Sequence, residues 1–201
     1  MPRWLRQILI LLILATATAA GIALTRSPDP VYVVQSWVHM GRFGKFDALI
    51  HIIAEKHGVD PNLIKAMVWR ESTFDPRKVG KDGERGLMQI LPTTAGDWAR
   101  ANGVANFDVI DLFDPKVNLD AGTWYLKQAL ERWKERDDPV PFALAEYNAG
   151  RTRVDRWLVA TKMAGKATAD DLLAAITFRT TREYIATILE RRDYYRERER
   201  L

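Results

Sequence analysis

Apolar residues recur at helical rather than strand spacing along most of the chain. Phe46, Leu49, Ile50 and Ile53 form one stripe, which Gly58 ends. Asp60-Pro61 then supplies a capping side chain and a proline at the first helical position, predicting a helix that runs to Glu71. Within it Ile64, Met67, Val68 and Glu71 share a face, so an acid stands where another Leu or Ile is expected. Phe74-Asp75-Pro76 stops that helix. Pro92-Thr93-Thr94 opens a short helix through Arg100, closed near Gly103. Leu119, Gly122, Leu126, Leu130 and Trp133 mark a longer one, and Gly122 on that stripe would let another backbone approach closely. Shorter helices are expected over residues 142–148, 154–163 and 170–176, and Tyr184, Ile185, Ile188, Leu189 and Arg192 trace the last. Residues 31–40 fit either a strand or an approach segment. The tail 191–200 alternates basic and acidic side chains and reads as a solvated helix face, Tyr194 and Tyr195 notwithstanding. No sustained strand alternation or internal repeat interrupts this, so the fold class is mostly α.

The N-terminus departs from that pattern. Arg3 and Arg6 precede an apolar stretch from Ile8 to Leu24, broken only by Thr16, Thr18 and Gly21. Ala15-Thr16-Ala17 and Ala17-Thr18-Ala19 both have the small-x-small form of a cleavage site. Residues 1–26 are therefore expected to be a signal peptide or a transmembrane anchor. If retained, the segment would barely span the hydrocarbon core, with its basic end in the cytoplasm and the rest of the chain outside. Ser27-Pro28-Asp29-Pro30 reads as a linker, making residues 27–42 an approach to a domain over 43–201.

Composition narrows the function classes. A hydrophobic content of 47% is ordinary for a globular chain, and the part after the leader suffices for one core. The formal charge of +4 is no sign of a nucleic-acid partner: without Arg3, Arg6 and Arg26, 27 basic face 26 acidic residues. Cysteine is absent, which excludes disulfides, a thiol nucleophile and a lipidated cysteine. His39, His51 and His57 lack the spacing of paired metal ligands, and His51 and His57 read as helix-surface or capping residues. Gly80, Gly83 and Gly86 precede no Lys-Ser or Lys-Thr pair, so neither a metal nor a nucleotide cofactor is expected.

What remains is Glu71. Burial on an apolar face would raise its pKa, and the negative end of its helix would push the same way. A rise of ~2 units corresponds to roughly 2.7 kcal/mol of differential interaction. A carboxyl held protonated near neutral pH is what a general acid requires.

Four motifs in order give this residue a context. Glu71-Ser72-Thr73-Phe74-Asp75-Pro76, followed by Gly83 and by Gly86-Leu87-Met88-Gln89-Ile90-Leu91-Pro92-Thr93-Thr94-Ala95, resembles the signature of soluble lytic transglycosylase catalytic domains. Residues 118–126 resemble that family's Asn-to-Tyr-Leu segment. Glu146-Tyr147-Asn148-Ala149-Gly150 resembles its Tyr-Asn-Ala-Gly motif, and Thr181 with Tyr184 its last marker. The resemblance implies a lysozyme-like fold and cleavage of peptidoglycan glycan strands between N-acetylmuramic acid and N-acetylglucosamine. In the family one glutamate is both acid and base, and the product is a 1,6-anhydro sugar. It implies Glu71 as that residue. Gly86, Leu87, Met88 and Gln89 would serve substrate binding, with Gly86 letting the backbone pass close to the sugar and Met88 and Gln89 lining the cleft. Tyr147 would orient Glu71 through its hydroxyl, Asn148 would hold substrate or the facing loop, and Tyr184 would close the far wall. Ser72 would support the loop, since no histidine is placed to activate it.

Departures from the family pattern leave other readings open. Lys78, Gly80 and Glu84 stand where the family commonly has Ala, Ser and Ala, and Arg151 where Pro or Gly is common. Glu146 replaces a common Ala; facing the cleft, it would supply a second carboxylate able to activate water, as would Asp82 or Glu84. A muramidase hydrolysing the same bond is thus the alternative, and an inactive peptidoglycan-binding scaffold a third. Expected partners are the glycan strands, the membrane through an uncleaved N-terminal segment, and a cell-wall or secretion machinery component. The expected location is extracytoplasmic.

Overall fold

The computed structural model describes residues 2–26, 30–38, 41–160 and 166–199. It divides into two compact units, Met1–Lys45 and Phe46–Leu201. Residues 27–29 of the linker, together with His39, lie outside the described residues.

The first unit carries α1 (Arg3–Arg26) and α2 (Pro30–Val38). Its span Arg3–Ile22 is long and apolar enough to cross a membrane, and the large side chains from Ile8 to Leu14 are exposed. Thr16 donates to the carbonyls of Leu12 and Ile13, and Thr18 to that of Leu14. These bonds satisfy both hydroxyls inside the helix, so neither threonine interrupts it. Of the two readings of residues 31–40, a strand is excluded over 31–38, which are helical.

The second unit comprises α3 (Asp47–His57), α4 (Pro61–Ser72), α5 (Pro92–Ala101), a 3₁₀ turn (Val109–Phe113), α6 (Pro115–Arg132), α7 (Val140–Ala149), α8 (Arg151–Ala160), α9 (Ala169–Ala175) and α10 (Arg179–Glu199). Asp60 caps α4 as its position predicts, accepting from the Asn62 amide at 2.9 Å. Asp114 does the same for α6, accepting from the amides of Lys116 and Val117 ahead of Pro115. Residues 79–90 form a loop held by isolated bridges, Val79 to Arg85 and Arg85 to Ile90, and no strand ladder occurs among the described residues.

At the centre lies α4. Leu63, Ile64, Ala66, Met67 and Val68 are all buried, so it is covered on several sides rather than along one stripe. It packs against α3 and, most extensively, against α10, whose Ile185 and Ile188 are buried too. Helix α7 lies against α6 and α10 and brings Phe142 and Leu144 into the same core.

The structure corrects four local expectations. The tail is not a simple solvated face: Arg191 is 3% exposed, its guanidinium 4.2 Å from the Trp69 ring centre and 4.9 Å from that of Tyr194. Tyr195 is buried, and Arg196 pairs with Asp60 at 2.6 Å, because α10 continues along α4. His57 is no capping residue but ties α3 to α6, its Nε2 2.5 Å from Asp120 Oδ1, while His51 is exposed. Gly122 admits side chains instead of a backbone: a Cβ there would meet Met88 Cβ at 2.8 Å and Ile90 Cδ1 at 3.1 Å. Helix α8 begins three residues before the expected 154, and residues 161–163 of that expectation lie outside the described residues.

Candidate active site

Glu71 occupies the last turn of α4. The turn ends there because Thr73 (φ 53°) and Phe74 (φ 58°) adopt left-handed backbone, an unusual pair for non-glycine residues. Phe74 is fully buried, and that burial offsets the local strain. The reversal sends the chain into the loop 75–90, which forms one wall of an open cavity of about 560 Å³. Glu71, Lys78, Gly80, Glu84, Gln89, Tyr147 and Asn148 all line it.

Two tyrosines, Tyr184 buried and Tyr147 half-buried, stand close to the acid. The Tyr184 hydroxyl, from α10, donates to Glu71 Oε1 at 2.6 Å. Burial pushes the Glu71 carboxyl up to about 7, against the Tyr184 hydrogen bond and the Arg70 and Lys78 cations, which favour the charged form. The Glu84 charge adds to the rise. Burial also holds the Tyr147 and Tyr184 hydroxyls well above the ordinary tyrosine range, and the Glu71 charge pushes the same way. Both remain hydrogen-bond donors at neutral pH. The expected raised acid is thus present, with desolvation as its main cause.

The expected division of labour between the tyrosines is reversed. Tyr147 donates to the Met88 carbonyl at 3.0 Å, so it fastens α7 to the loop, and Tyr184 is the residue that orients Glu71. Tyr125 stacks obliquely on Tyr147, ring centres 5.3 Å apart. Asn148 holds a neighbouring element: its Oδ1 accepts from the Thr181 hydroxyl at 2.8 Å. That bond joins the third motif to the fourth.

The loop motif divides into a face and a foundation. Gln89 reaches the cavity and donates to the carbonyls of Lys78 and Gly86. Leu87 and Met88 are fully buried, so Met88 contributes its backbone carbonyl and not a cleft-lining side chain. Gly86 (φ +76°) is not shaped for a sugar; a Cβ there would lie 2.7 Å from Asn118 Cγ and would also strike the Leu112 carbonyl. Ser72 is buried and donates to the Val68 carbonyl within α4, away from the cavity. Lys78 donates to the Glu71 carbonyl, pinning the helix end.

Glu146 does not face the cleft. It is 1% exposed, accepts from the Arg132 guanidinium at 2.7 and 3.1 Å, and accepts from Trp133 Nε1 at 2.8 Å. A charged side chain next to Tyr147 is tolerated because α6 supplies a cation and an indole donor for it. It is a structural pair and no second catalytic carboxylate.

Asn118 was the foundation residue that sequence reasoning passed over. Its Oδ1 accepts from the Met88 amide, and its Nδ2 donates to the carbonyls of Arg85 and Leu112, each at 2.8 Å. A polar residue on the buried face of a helix, at the head of the Asn-to-Tyr-Leu segment, was the available signal. Tyr125, in the same segment, also lines the cavity, as does Arg153, which no pattern marked.

The transglycosylase SLT domain family matches residues 48–169. A membrane-bound lytic murein transglycosylase F from Desulfosudis oleivorans is 37% identical over 112 residues, 54% of this chain and 23% of that one. The soluble lytic murein transglycosylase of Escherichia coli K12 is 33% identical over 132 residues, 65% of this chain and 20% of that one. An inactive Glu-to-Gln mutant of the lytic transglycosylase Slt from Pseudomonas aeruginosa superposes with a TM-score of 0.66 at 29% identity, covering 76% of this chain and 24% of that one. The chain spans between 20% and 48% of the length of the curated relatives it matches. Motif order, raised acid and mostly α, lysozyme-like fold agree with the match, and the chain belongs to the transglycosylase SLT domain family.

Proposed function

We propose that the unit Phe46–Leu201 is a peptidoglycan lytic transglycosylase with Glu71 as acid and then base. The observation that carries this reading is a half-buried carboxyl held near pKa 7 by desolvation at the edge of an open, polar cavity, in contact with a tyrosine donor. Protonated Glu71 gives its proton to the bridging oxygen as the C1–O bond of N-acetylmuramic acid breaks. The substrate's own acetamido group stabilises the cation that develops, so no enzyme nucleophile is needed. Glu71, now ionised, takes the proton of the muramic 6-hydroxyl as that oxygen closes onto C1. The proton count balances, and Glu71 returns to its starting state. Tyr184 donates to the ionised form at mid-reaction, when it needs a donor most. Tyr147 and Gln89 keep the loop wall in place. Arg70, Lys78, Lys81 and Arg153 border the cavity together with Asp82 and Glu84, a mixed-charge rim in which the cations can meet anionic stem peptides.

The inactive Pseudomonas aeruginosa mutant, a Gln in place of a Glu, supports the choice of variant for the test. Residues 31–201 and their Glu71→Gln variant are incubated with purified peptidoglycan, and the soluble products are weighed by mass spectrometry. Anhydromuramic ends from the native chain and none from the variant are expected. An inert native chain would return the scaffold reading.

In this reading the first unit is an export signal or anchor and the domain works on the outer side of the cytoplasmic membrane; the length and apolar character of the span Arg3–Ile22 support it. Membrane-bound and soluble relatives both occur, as their names state. A partner in wall growth or secretion would then direct where the strand is opened.

A further inference from the structure

Glu84, a carboxylate of the cavity, carries out no bond-making or proton-transfer step in ring closure. Glu84 lies on the loop wall, and its side chain fills the space above Gly80: a Cβ at residue 80 would collide with Oε2 and lie 2.9 Å from Cδ. The same Cβ would meet Gln89 Oε1 at 3.0 Å. Glu84 can therefore reach this place only because residue 80 is glycine, so the two departures from the family pattern form one arrangement. The carboxylate is also held still. Its Oε2 accepts from the Asp82 amide at 3.0 Å, and its backbone carbonyl accepts from the Gly80 amide at 2.8 Å. Glu71 and Glu84 thus border one open cavity from two different walls, the helix end and the loop. Asp82 also borders it but is exposed, and nothing comparable fixes its carboxylate.

We propose that Glu84 is a second carboxylate of the reaction centre and gives the enzyme a hydrolytic branch beside ring closure. The inference rests on the transglycosylase reading of Glu71. In this branch Glu71 protonates the bridging oxygen as before. A water between the sugar and the loop wall attacks C1 while the C1–O bond breaks, and Glu84 takes the proton that the water loses. One bond forms, one breaks, and the product is a reducing muramic end with inverted configuration. Water needs a base on its own side of the ring, which Glu71 cannot provide while its proton is in flight. Glu84 retains a free oxygen, Oε1, for that purpose.

The test counts two kinds of new end on peptidoglycan whose existing reducing ends were first removed with borohydride. After digestion, a second reduction converts hydrolysed ends to muramitol and leaves anhydro ends unchanged. The native chain should produce both, and Glu84→Gln should lower the ratio of muramitol to anhydro ends at least about a hundredfold, the low side of what a general base supplies. Glu84→Asp, which keeps the charge on a shorter arm, should give an intermediate ratio. Because the readout is a ratio, partial loss of folded protein does not disguise it. Anhydro ends alone from the native chain, or an unaltered ratio in Glu84→Gln, would overturn the proposal while leaving the Glu71 reading intact. Absence of anhydro ends would instead overturn the reading on which it rests.

Discussion

The role proposed for Glu71 combines two demands that pull against each other. Its proton must be held firmly enough to be present near neutral pH, and its anion must survive mid-reaction. Burial serves the first and the Tyr184 hydroxyl the second. The rate of anhydro-end formation should therefore fall as pH rises through about 7, where the acid is lost. Tyr184→Phe removes a bond that favours the charged form, so that alkaline limb should move to higher pH, as initial rates across pH 5–9 would reveal. Stability carries the same sign. The folded carboxyl titrates near 7 against an ordinary value of 4.5, so the fold loses stability as pH rises from about 4.5 through about 7. Glu71→Gln should then be the more stable chain at pH 8, by up to roughly 3 kcal/mol, and equal to the native chain near pH 4.5. Denaturant midpoints at the two pH values check this. The raised acid was legible in the sequence because an acid on an apolar stripe needs only helical periodicity to be seen. Which tyrosine touches it was not, since that depends on how α10 and α7 lie against α4 and the loop.

Among the elements, the loop 75–90 depends most on remote support. Asn118 of α6 satisfies three of its surrounding backbone groups, and Gly86 is the residue small enough to let it do so. Gly86→Ala should cost about 2–3 kcal/mol, through both the collision and the positive φ. The thermal midpoint would report it. Glu146→Ala leaves the buried Trp133 indole N–H without its acceptor, while Arg132 can turn to water, and should cost about 2 kcal/mol without altering the chemical nature of the product. Mass spectrometry of the ends separates this structural role from a catalytic one. The start of α4 was readable at Asp60 and Pro61, because a cap is a local chemical device. The orientation of Glu146 was unreadable from its own surroundings. It is settled by Arg132 and Trp133, which α6 brings from 14 and 13 positions away.

At the scale of the molecule, the chemistry and the apolar helix lie in separate units. If the segment is an anchor, a chain lacking residues 1–26 should leave the membrane fraction and keep the proposed activity, as sedimentation and product analysis would show. The site itself is assembled across great distances along the chain. The bond from Tyr184 to Glu71 joins residues 113 positions apart, and α4 makes its most extensive contact with the helix that supplies the tyrosine. If α10 lifts from α4 while everything else stays folded, water reaches Glu71 and its carboxyl relaxes toward 4.5, the ordinary value. The acid then sits ionised at neutral pH and cannot start the reaction. Lifting of α10 ahead of global unfolding would therefore show as a loss of the proposed activity before a loss of helix content. On the proposed function, a copy damaged in this way falls idle instead of cutting without control.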